Sequence, residues 1–223
     1  MKKFNTKSIA VSAMLTAVAF LATFCTSMFK VGGFLSLDLK DAVISIISLL
    51  YGPVYGFISV LTVSVVEFVT ISTTGLYGFV MNILSSGTFA VICGLVYKLK
   101  RSFSGAILAS GLTVVSVTAV MLAANVFITP LYFQMPTQAV LDMLPTVLLP
   151  FNLFKSVLNA SIMLLVYKPF TTALKKAGLV HTDDAATTYK FGAKSVVMTV
   201  FSLALILAAV AVMLYLGIDI KKS

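Results

Sequence analysis

Long uncharged apolar stretches alternate with short charged segments along the chain. A bilayer core of roughly 30 Å requires about 20 apolar residues for each helical span, and several stretches reach or exceed that length. The pattern therefore predicts an all-α polytopic membrane protein with short loops. The uncharged stretches cover residues 8–29, 42–66, 68–97, 102–141, 143–154, 156–167 and 195–218.

The distribution of basic residues indicates how many helices lie between residues 42 and 97. Cytoplasmic loops are enriched in Lys and Arg, which places the N-terminus, with three lysines in residues 2–7, in the cytoplasm. The basic cluster at 98–101 is then cytoplasmic again. Since the first span (8–29) ends outside, an odd number of crossings must follow. One crossing is too few for this length, so we expect three.

Two breaks divide the region into three helices. Gly52-Pro53 is a turn signal, and residues 70–75 are small and polar. The second helix is therefore short, from about Leu37 to Tyr51, with Asp38, Lys40 and Asp41 near its outer end. A short helix with a charged tip is typical of a cavity wall, because lipid does not tolerate unpaired charges.

The C-terminal half predicts three more helices. The fifth span extends from about Gly105 to Thr129-Pro130, and an outer loop with several prolines precedes a sixth span from about Thr146 to Tyr167. The domain prediction is a six-helix core (1–170), a cytoplasmic linker (171–194) and a seventh helix from Ser195 to about Leu216 with a short tail (195–223).

The composition supports a membrane protein and excludes several other classes. Of the 223 residues, 60% are hydrophobic and only 10% are charged, against about 25% charged in soluble domains. The net charge of +9 fits cytoplasmic loops better than nucleic-acid binding. No catalytic motif, paired carboxylates or metal-ligand spacing is present, so we expect neither an enzyme nor a metal site.

Lys155 is the most informative polar residue, because it lies inside the sixth span, where a charge is costly without a cavity or a partner. Asn152 and Asn159 share its helical face at the i, i+3, i+7 spacing. The stripe favours contact with a ligand. The alternatives are snorkelling and a structural ion pair, for which Glu67 is the expected partner.

Other polar residues are weaker candidates for the same site. Asn125, near the outer end of span five, offers a donor and an acceptor, but it suits an interhelical hydrogen bond almost equally well. Asp38 and Asp41 are candidates for ligand hydroxyls, or else solvated loop charges. Glu67 is equally consistent with a solvated helix end, and Met81 with either a pocket or tight packing.

The first span carries a stripe of small residues at Ala10, Ala13 and Ala17. Small side chains allow another helix to approach closely. The stripe is therefore consistent with docking of a partner membrane protein and, equally, with packing inside the chain's own bundle.

In order and spacing, several segments resemble the substrate-binding S components of energy-coupling factor vitamin transporters, and most closely the riboflavin-specific members. The resemblance covers roughly residues 5–170. The segments are Leu37-Asp38-Leu39-Lys40-Asp41, Tyr51-Gly52-Pro53-Val54-Tyr55-Gly56, Gly78-Phe79-Val80-Met81-Asn82, Asn125-Val126-Phe127-Ile128-Thr129-Pro130 and Pro150-Phe151-Asn152-Leu153-Phe154-Lys155.

The resemblance implies a six-helix fold in the cell membrane with an outward-opening pocket for riboflavin, which is the transported ligand rather than a cofactor. Asn152, Lys155 and Asn125 would contact the flavin ring. The region around Asp38, Leu39 and Asp41 would hold the ligand from the capping side. The alanine stripe would dock a transmembrane coupling subunit, and two separate ATPase subunits would hydrolyse ATP. The seventh helix lies outside the six-helix pattern.

Two alternatives remain open at the level of sequence. An S component for folate or pantothenate would use Lys155 as the partner of a carboxylate, and one for thiamine is equally conceivable. A membrane assembly protein without a ligand would pair Lys155 with Glu67.

Overall fold

The computed structural model describes residues 5–27, 29–31 and 35–178, together with 204, 207 and 218–220. The described residues include seven α-helices: α1 (Thr6–Thr26), α2 (Lys40–Tyr51), α3 (Pro53–Thr70), α4 (Gly75–Leu99), α5 (Phe103–Phe133), α6 (Thr137–Met143) and α7 (Leu149–Lys176). Most of the predicted linker and seventh helix lies outside the described residues.

Five helical segments within the described part of the chain are long and apolar enough to cross a membrane. They are Thr6–Thr26, Pro53–Thr70, Gly75–Leu99, Ser104–Phe133 and Thr137–Leu174. The predicted fold class, an all-α polytopic membrane protein, is confirmed.

The predicted break at Gly52-Pro53 separates α2 from α3. Gly52 has φ 103°, a conformation that only glycine adopts without strain, and Pro53 opens α3. Helix α2 begins at Lys40, later than the predicted Leu37. Its 12 residues extend only about 18 Å at 1.5 Å per residue. Because most of its side chains are buried, α2 is an internal helix, shorter than the membrane-length helices around it.

The prolines after residue 129 do not produce the predicted open loop. Helix α5 continues through Pro130 to Phe133, since membrane helices tolerate proline when neighbouring groups satisfy the freed carbonyl. The chain turns at Gln134, which has φ 53°. Helix α6 then leads through a π-helical turn at Leu144–Leu148 into α7. Spans five and six were therefore predicted to end too early: α5 continues to Phe133 and α7 to Lys176.

Three short strands form a small antiparallel sheet in the order β2-β1-β3. Strands β1 (Phe29–Val31) and β2 (Leu35–Ser36) lie between α1 and α2. Strand β3 (Ile218–Ile220), from the C-terminal tail, pairs with β1. The sheet therefore places residues 218–220 beside the segment that precedes α2.

Candidate functional site

A cavity opens at one end of the bundle, between β2, the first half of α4, the second half of α5 and the start of α7. Its polar lining comes from Ser36, Thr74, Asn82, Ser85, Asn125, Thr129, Asn152 and Lys155. Its apolar and aromatic lining comes from Leu35, Tyr77, Met81, Met121, Ile128, Tyr132, Phe133 and Phe151. This mixture of many apolar and a few polar groups is typical of small-molecule pockets.

Four of the predicted site residues line this cavity: Met81, Asn125, Asn152 and Lys155. The two amide nitrogens donate to carbonyls one turn earlier in their own helices, Asn125 to Met121 at 2.7 Å and Asn152 to Leu148 at 2.8 Å. Thr129 Oγ1 donates to Asn125 Oδ1 at 2.9 Å. These bonds fix the orientation of both amides.

Lys155 forms an ion pair with Asp38 rather than with Glu67. Its Nζ lies 2.8 Å from Asp38 Oδ2. The two side chains are almost fully enclosed, since Lys155 is 8% exposed and Asp38 is 2% exposed. The expectation that Lys155 pairs with Glu67 was therefore wrong. The interpretation of Asp38 as a solvated loop charge was wrong as well.

Glu67 is engaged by Lys40, which is 0% exposed. Lys40 Nζ lies 2.9 and 2.8 Å from the two carboxylate oxygens of Glu67. Asn82 Nδ2, on the cavity wall, donates to Glu67 Oε2 at 3.2 Å. Glu67 is therefore a buried ion-pair partner rather than a solvated helix end. The Lys40–Glu67 pair therefore connects α2 to α3, and the hydrogen bond from Asn82 connects α4 to the same pair.

Asn159 lies behind the cavity wall and holds the segment that leads into α2. Its Nδ2 donates to the Asp38 carbonyl at 2.9 Å, and its Oδ1 accepts from the Ala42 N–H at 2.9 Å. The side chain thus satisfies a backbone donor of the first turn of α2, where a helix leaves four N–H groups unpaired. The structure gives Asn159 a positioning role, although it shares the helical face of Lys155.

The other two residues expected to hold the ligand also lie outside the cavity lining. Leu39 is half-buried against an apolar cluster beside the cavity that includes Leu37 and Phe151. Asp41 is buried in the first turn of α2. It interacts electrostatically with the Asp38, Lys40 and Lys155 side chains.

Carboxyl groups outnumber ammonium groups in this cluster. Asp38, Asp41 and Glu67 supply three carboxylates against the two ammonium groups of Lys40 and Lys155. Asp38 precedes α2, outside the membrane-spanning helices. Burial alone would raise the pKa of the Asp38 carboxyl, but the Lys155 and Lys40 ammonium groups outweigh burial and hold that pKa below its ordinary value. Asp38 therefore carries a negative charge beneath the cavity.

Several residues of the cavity and of the buried charge cluster beside it were not predicted from the sequence. The aromatic wall includes Tyr77 and Tyr132, whose ring centroids lie 5.7 Å apart in an edge-on arrangement. Tyr77 precedes Met81 by one helical turn of α4, so helical spacing was the signal available for it. Lys40 had no such signal, because its partner Glu67 is 27 positions away.

The alanine stripe of α1 lies on the outside of the bundle. Ala10, Ala13 and Ala17 are all exposed, so packing against the described helices does not explain them. Ala13 and Ala17 line an apolar groove between α1 and α3. We call this surface the α1/α3 groove; its other lining residues include Ile9, Phe20, Tyr55, Ile58, Thr62 and Val66.

These features define a helical membrane protein with a polar-lined cavity at one end of its bundle. Within the described residues, no group of three or more His, Cys, Asp or Glu side chains is placed to hold a metal ion. The family model for the ECF transporter substrate-specific component matches residues 7–167. The chain belongs to this family, which supplies the substrate-binding part of a transporter rather than an enzyme.

Two individual proteins are similar to the chain. The riboflavin transporter RibU of Staphylococcus aureus (strain TCH60) is 27% identical over 179 residues, which cover 77% of this chain and 94% of the relative. The solved structure of the S component of a bacterial ECF transporter matches with a TM-score of 0.65 at 25% identity. That match covers 76% of this chain and 98% of the other.

Proposed function

We propose that this chain is the riboflavin-binding subunit of an ECF vitamin transporter. The observation that carries the proposal is the cavity, where Asn125, Asn152 and Lys155 meet an aromatic and apolar wall. A flavin ring is flat and largely apolar, and its edge carries hydrogen-bond donors and acceptors. Amides offer both kinds of group. The RibU relative, a riboflavin transporter, supports the same ligand.

The pairing of Lys155 bears on the alternative vitamins. Folate and pantothenate carry carboxylates, which would need an unpaired ammonium group in a buried site. Here the Lys155 ammonium already lies 2.8 Å from the Asp38 carboxylate. Its remaining hydrogens suit the neutral carbonyl oxygens of a flavin. Thiamine, a cation, is not disfavoured by this charge and is the second candidate.

The partners follow from the family and from the α1/α3 groove. We propose that this groove docks a transmembrane coupling subunit and that two separate ATPase subunits supply the energy. The N-terminus is assigned to the cytoplasm, because basic residues collect on that side. Labelling a single cysteine at Gln134 with an impermeant maleimide checks the orientation, since this position should then react from outside intact cells.

The first test is riboflavin binding to the purified full-length protein in detergent, followed by quenching of flavin fluorescence. We expect near-stoichiometric quenching that weakens about tenfold or more in Asn152→Ala and in Lys155→Met, as expected when a hydrogen bond to a buried ligand is lost.

Matched controls are Gln138→Ala and Lys98→Met, which remove an amide and an ammonium group outside the cavity lining. Both should bind riboflavin like the wild type. Quenching that none of the variants changes would keep the function and reject the site. Folded wild-type protein that binds thiamine but leaves flavin fluorescence unchanged would reject riboflavin.

A further inference from the structure

We propose that Asp38 is a specificity-determining residue, which keeps anionic ligands out of the cavity by neutralising Lys155. The inference rests on the proposed flavin site. Asp38 does not line the cavity, so its effect on the ligand passes through the charge of its neighbours. It would act as a positioning residue for the Lys155 ammonium group and as a source of negative potential beneath the ligand.

The geometry makes Lys155 a neutralised cation. It lines the cavity, and its Nζ lies 2.8 Å from Asp38 Oδ2. A Lys ammonium has three donors, so this bond leaves others for a neutral acceptor on the ligand. Its positive charge, however, is already matched by a carboxylate behind it.

Lys40 does not replace Lys155 as the main cationic partner of Asp38. Its Nζ lies 3.4 Å from Asp38 Oδ2, but it is bound more closely, at 2.8 and 2.9 Å, to both oxygens of Glu67. The Lys40 charge is therefore matched mainly by Glu67, and Asp38 depends on Lys155.

Asp41 adds a further carboxylate with no cation of its own. It is buried, and its Oδ1 has no hydrogen-bond partner among the described residues. The same holds for Asp38 Oδ1. The cluster therefore has one negative charge in excess when all five groups are ionised. Since charges interact strongly in a medium of low polarity, this excess disfavours an anion in the cavity above it.

Contacts within the protein hold Asp38 in place without a bound ligand. Asn159 holds its backbone carbonyl at 2.9 Å, and the same side chain is anchored by the Ala42 N–H at 2.9 Å. The carboxylate is therefore preorganised beneath the cavity, so its repulsion of an anion acts from the first encounter.

The test compares riboflavin with riboflavin 5′-phosphate, which differ only in the phosphate. Affinities for both are measured on the full-length protein in detergent, and the readout is the ratio of the two Kd values. The wild type should favour riboflavin. Asp38→Asn removes one negative charge and leaves Lys155 unpaired, so the preference should shrink on the order of tenfold, as for unit charges about 10 Å apart at an effective dielectric constant of 20.

Lys155→Met should move the same ratio in the opposite direction. It weakens binding of both flavins, but it leaves the cluster more negative, so the preference against the 5′-phosphate should grow. This variant decides the question if Asp38→Asn fails to fold. Asp38→Glu keeps the charge and should keep most of the preference.

Asp142→Asn is the matched control, because Asp142 is an exposed acid bonded to Gln138 in α6. It should leave the ratio unchanged. The inference is overturned if Asp38→Asn binds riboflavin with the wild-type ratio, or if Asp142→Asn shifts the ratio as much. A wild type that binds neither flavin overturns the proposed function, and this inference with it. Riboflavin binding with an unmoved ratio overturns the inference alone.

Discussion

Asp38 joins Lys40 and Lys155, the two buried lysines among the described residues, and the cost of burying these charges explains their arrangement. Removing one partner of a buried ion pair typically costs about 3–5 kcal/mol, so each charge must have a neighbour in the folded chain. Lys155 and Asp38 are 117 positions apart, and Lys40 and Glu67 are 27 apart. The pairs therefore connect α7 and α3 to the short segment around α2.

For single residues, we predict that Asn159→Ala destabilises the protein much more than Asn152→Ala does. The first leaves the buried Ala42 N–H and Asp38 carbonyl without their partner, at about 1–3 kcal/mol for each group. The second removes one bond to the Leu148 carbonyl, at about 1 kcal/mol. Thermal unfolding in detergent without ligand measures both.

Riboflavin binding should show the opposite order, with Asn152→Ala the weaker binder. Equal losses of stability in the two variants would contradict the positioning role of Asn159.

The sequence predicted the polar residues of α7 but not all of their roles. The spacing of Asn152, Lys155 and Asn159 correctly placed them on one helical face. It could not show that Asn159 faces backbone groups instead of the cavity, since that depends on where the segment around Asp38 packs. Charges before α2 suggested solvent, because nothing local shows that α7 covers them.

At the scale of elements, the Gly52-Pro53 junction determines the direction of two helices. Helix α2 ends at Tyr51 and α3 starts at Pro53, so the chain reverses within a single residue. Proline is favoured at the first helical position because its missing N–H is unpaired there anyway. Close packing follows, since a Cβ on Gly56 of α3 would lie 1.8 Å from Ser48 Oγ of α2.

We predict that Gly52→Ala lowers stability by about 1–3 kcal/mol, because its φ of 103° and ψ of 168° strain a residue with a side chain. Gly111→Ala is the control, since it lies in α5 with open space around it, and alanine favours a helix by about 1 kcal/mol. Thermal unfolding should show a lower midpoint for the first variant only. An equal or raised midpoint for Gly52→Ala would rule out strain at the junction.

Proline correctly predicted a helix boundary at one position and wrongly predicted one at another. Gly52-Pro53 ended a helix as predicted, because the glycine supplies a conformation that no helix contains. Pro130 did not end α5, because a single proline costs only local hydrogen bonds, which neighbouring groups can replace. The pattern of charges did not show that α2 is short and largely buried, because charges mark loops and not the packing between helices.

The whole molecule carries its two candidate functional surfaces on different helices. The cavity is built from β2, α4, α5 and α7, whereas the α1/α3 groove lies on α1 and α3. Helices α2 and α3 meet through the Lys40–Glu67 pair, which lies between the two surfaces. A protein docked on the groove would therefore not need to cover the cavity.

We accordingly predict that Ala13→Leu with Ala17→Leu leaves riboflavin affinity in detergent within about twofold of the wild type. Riboflavin uptake by cells that contain the coupling subunits should fall on the order of tenfold, since bulky side chains prevent close helix approach. Val18→Leu, exposed on α1 outside the groove, should change neither quantity. Unchanged uptake in the double variant would contradict docking on this groove.

The pairing of β3 with β1 has a practical consequence for anyone who purifies the protein. Phe29 lies opposite Ile220, only three residues before the last residue, Ser223, and β1 adjoins β2, which lines the cavity. An affinity tag joined within a few residues of β3 would therefore start close to the cavity where we propose that the ligand binds. Fused ahead of α1 instead, a tag would begin at the opposite end of the bundle, where a fluorescence titration is not disturbed.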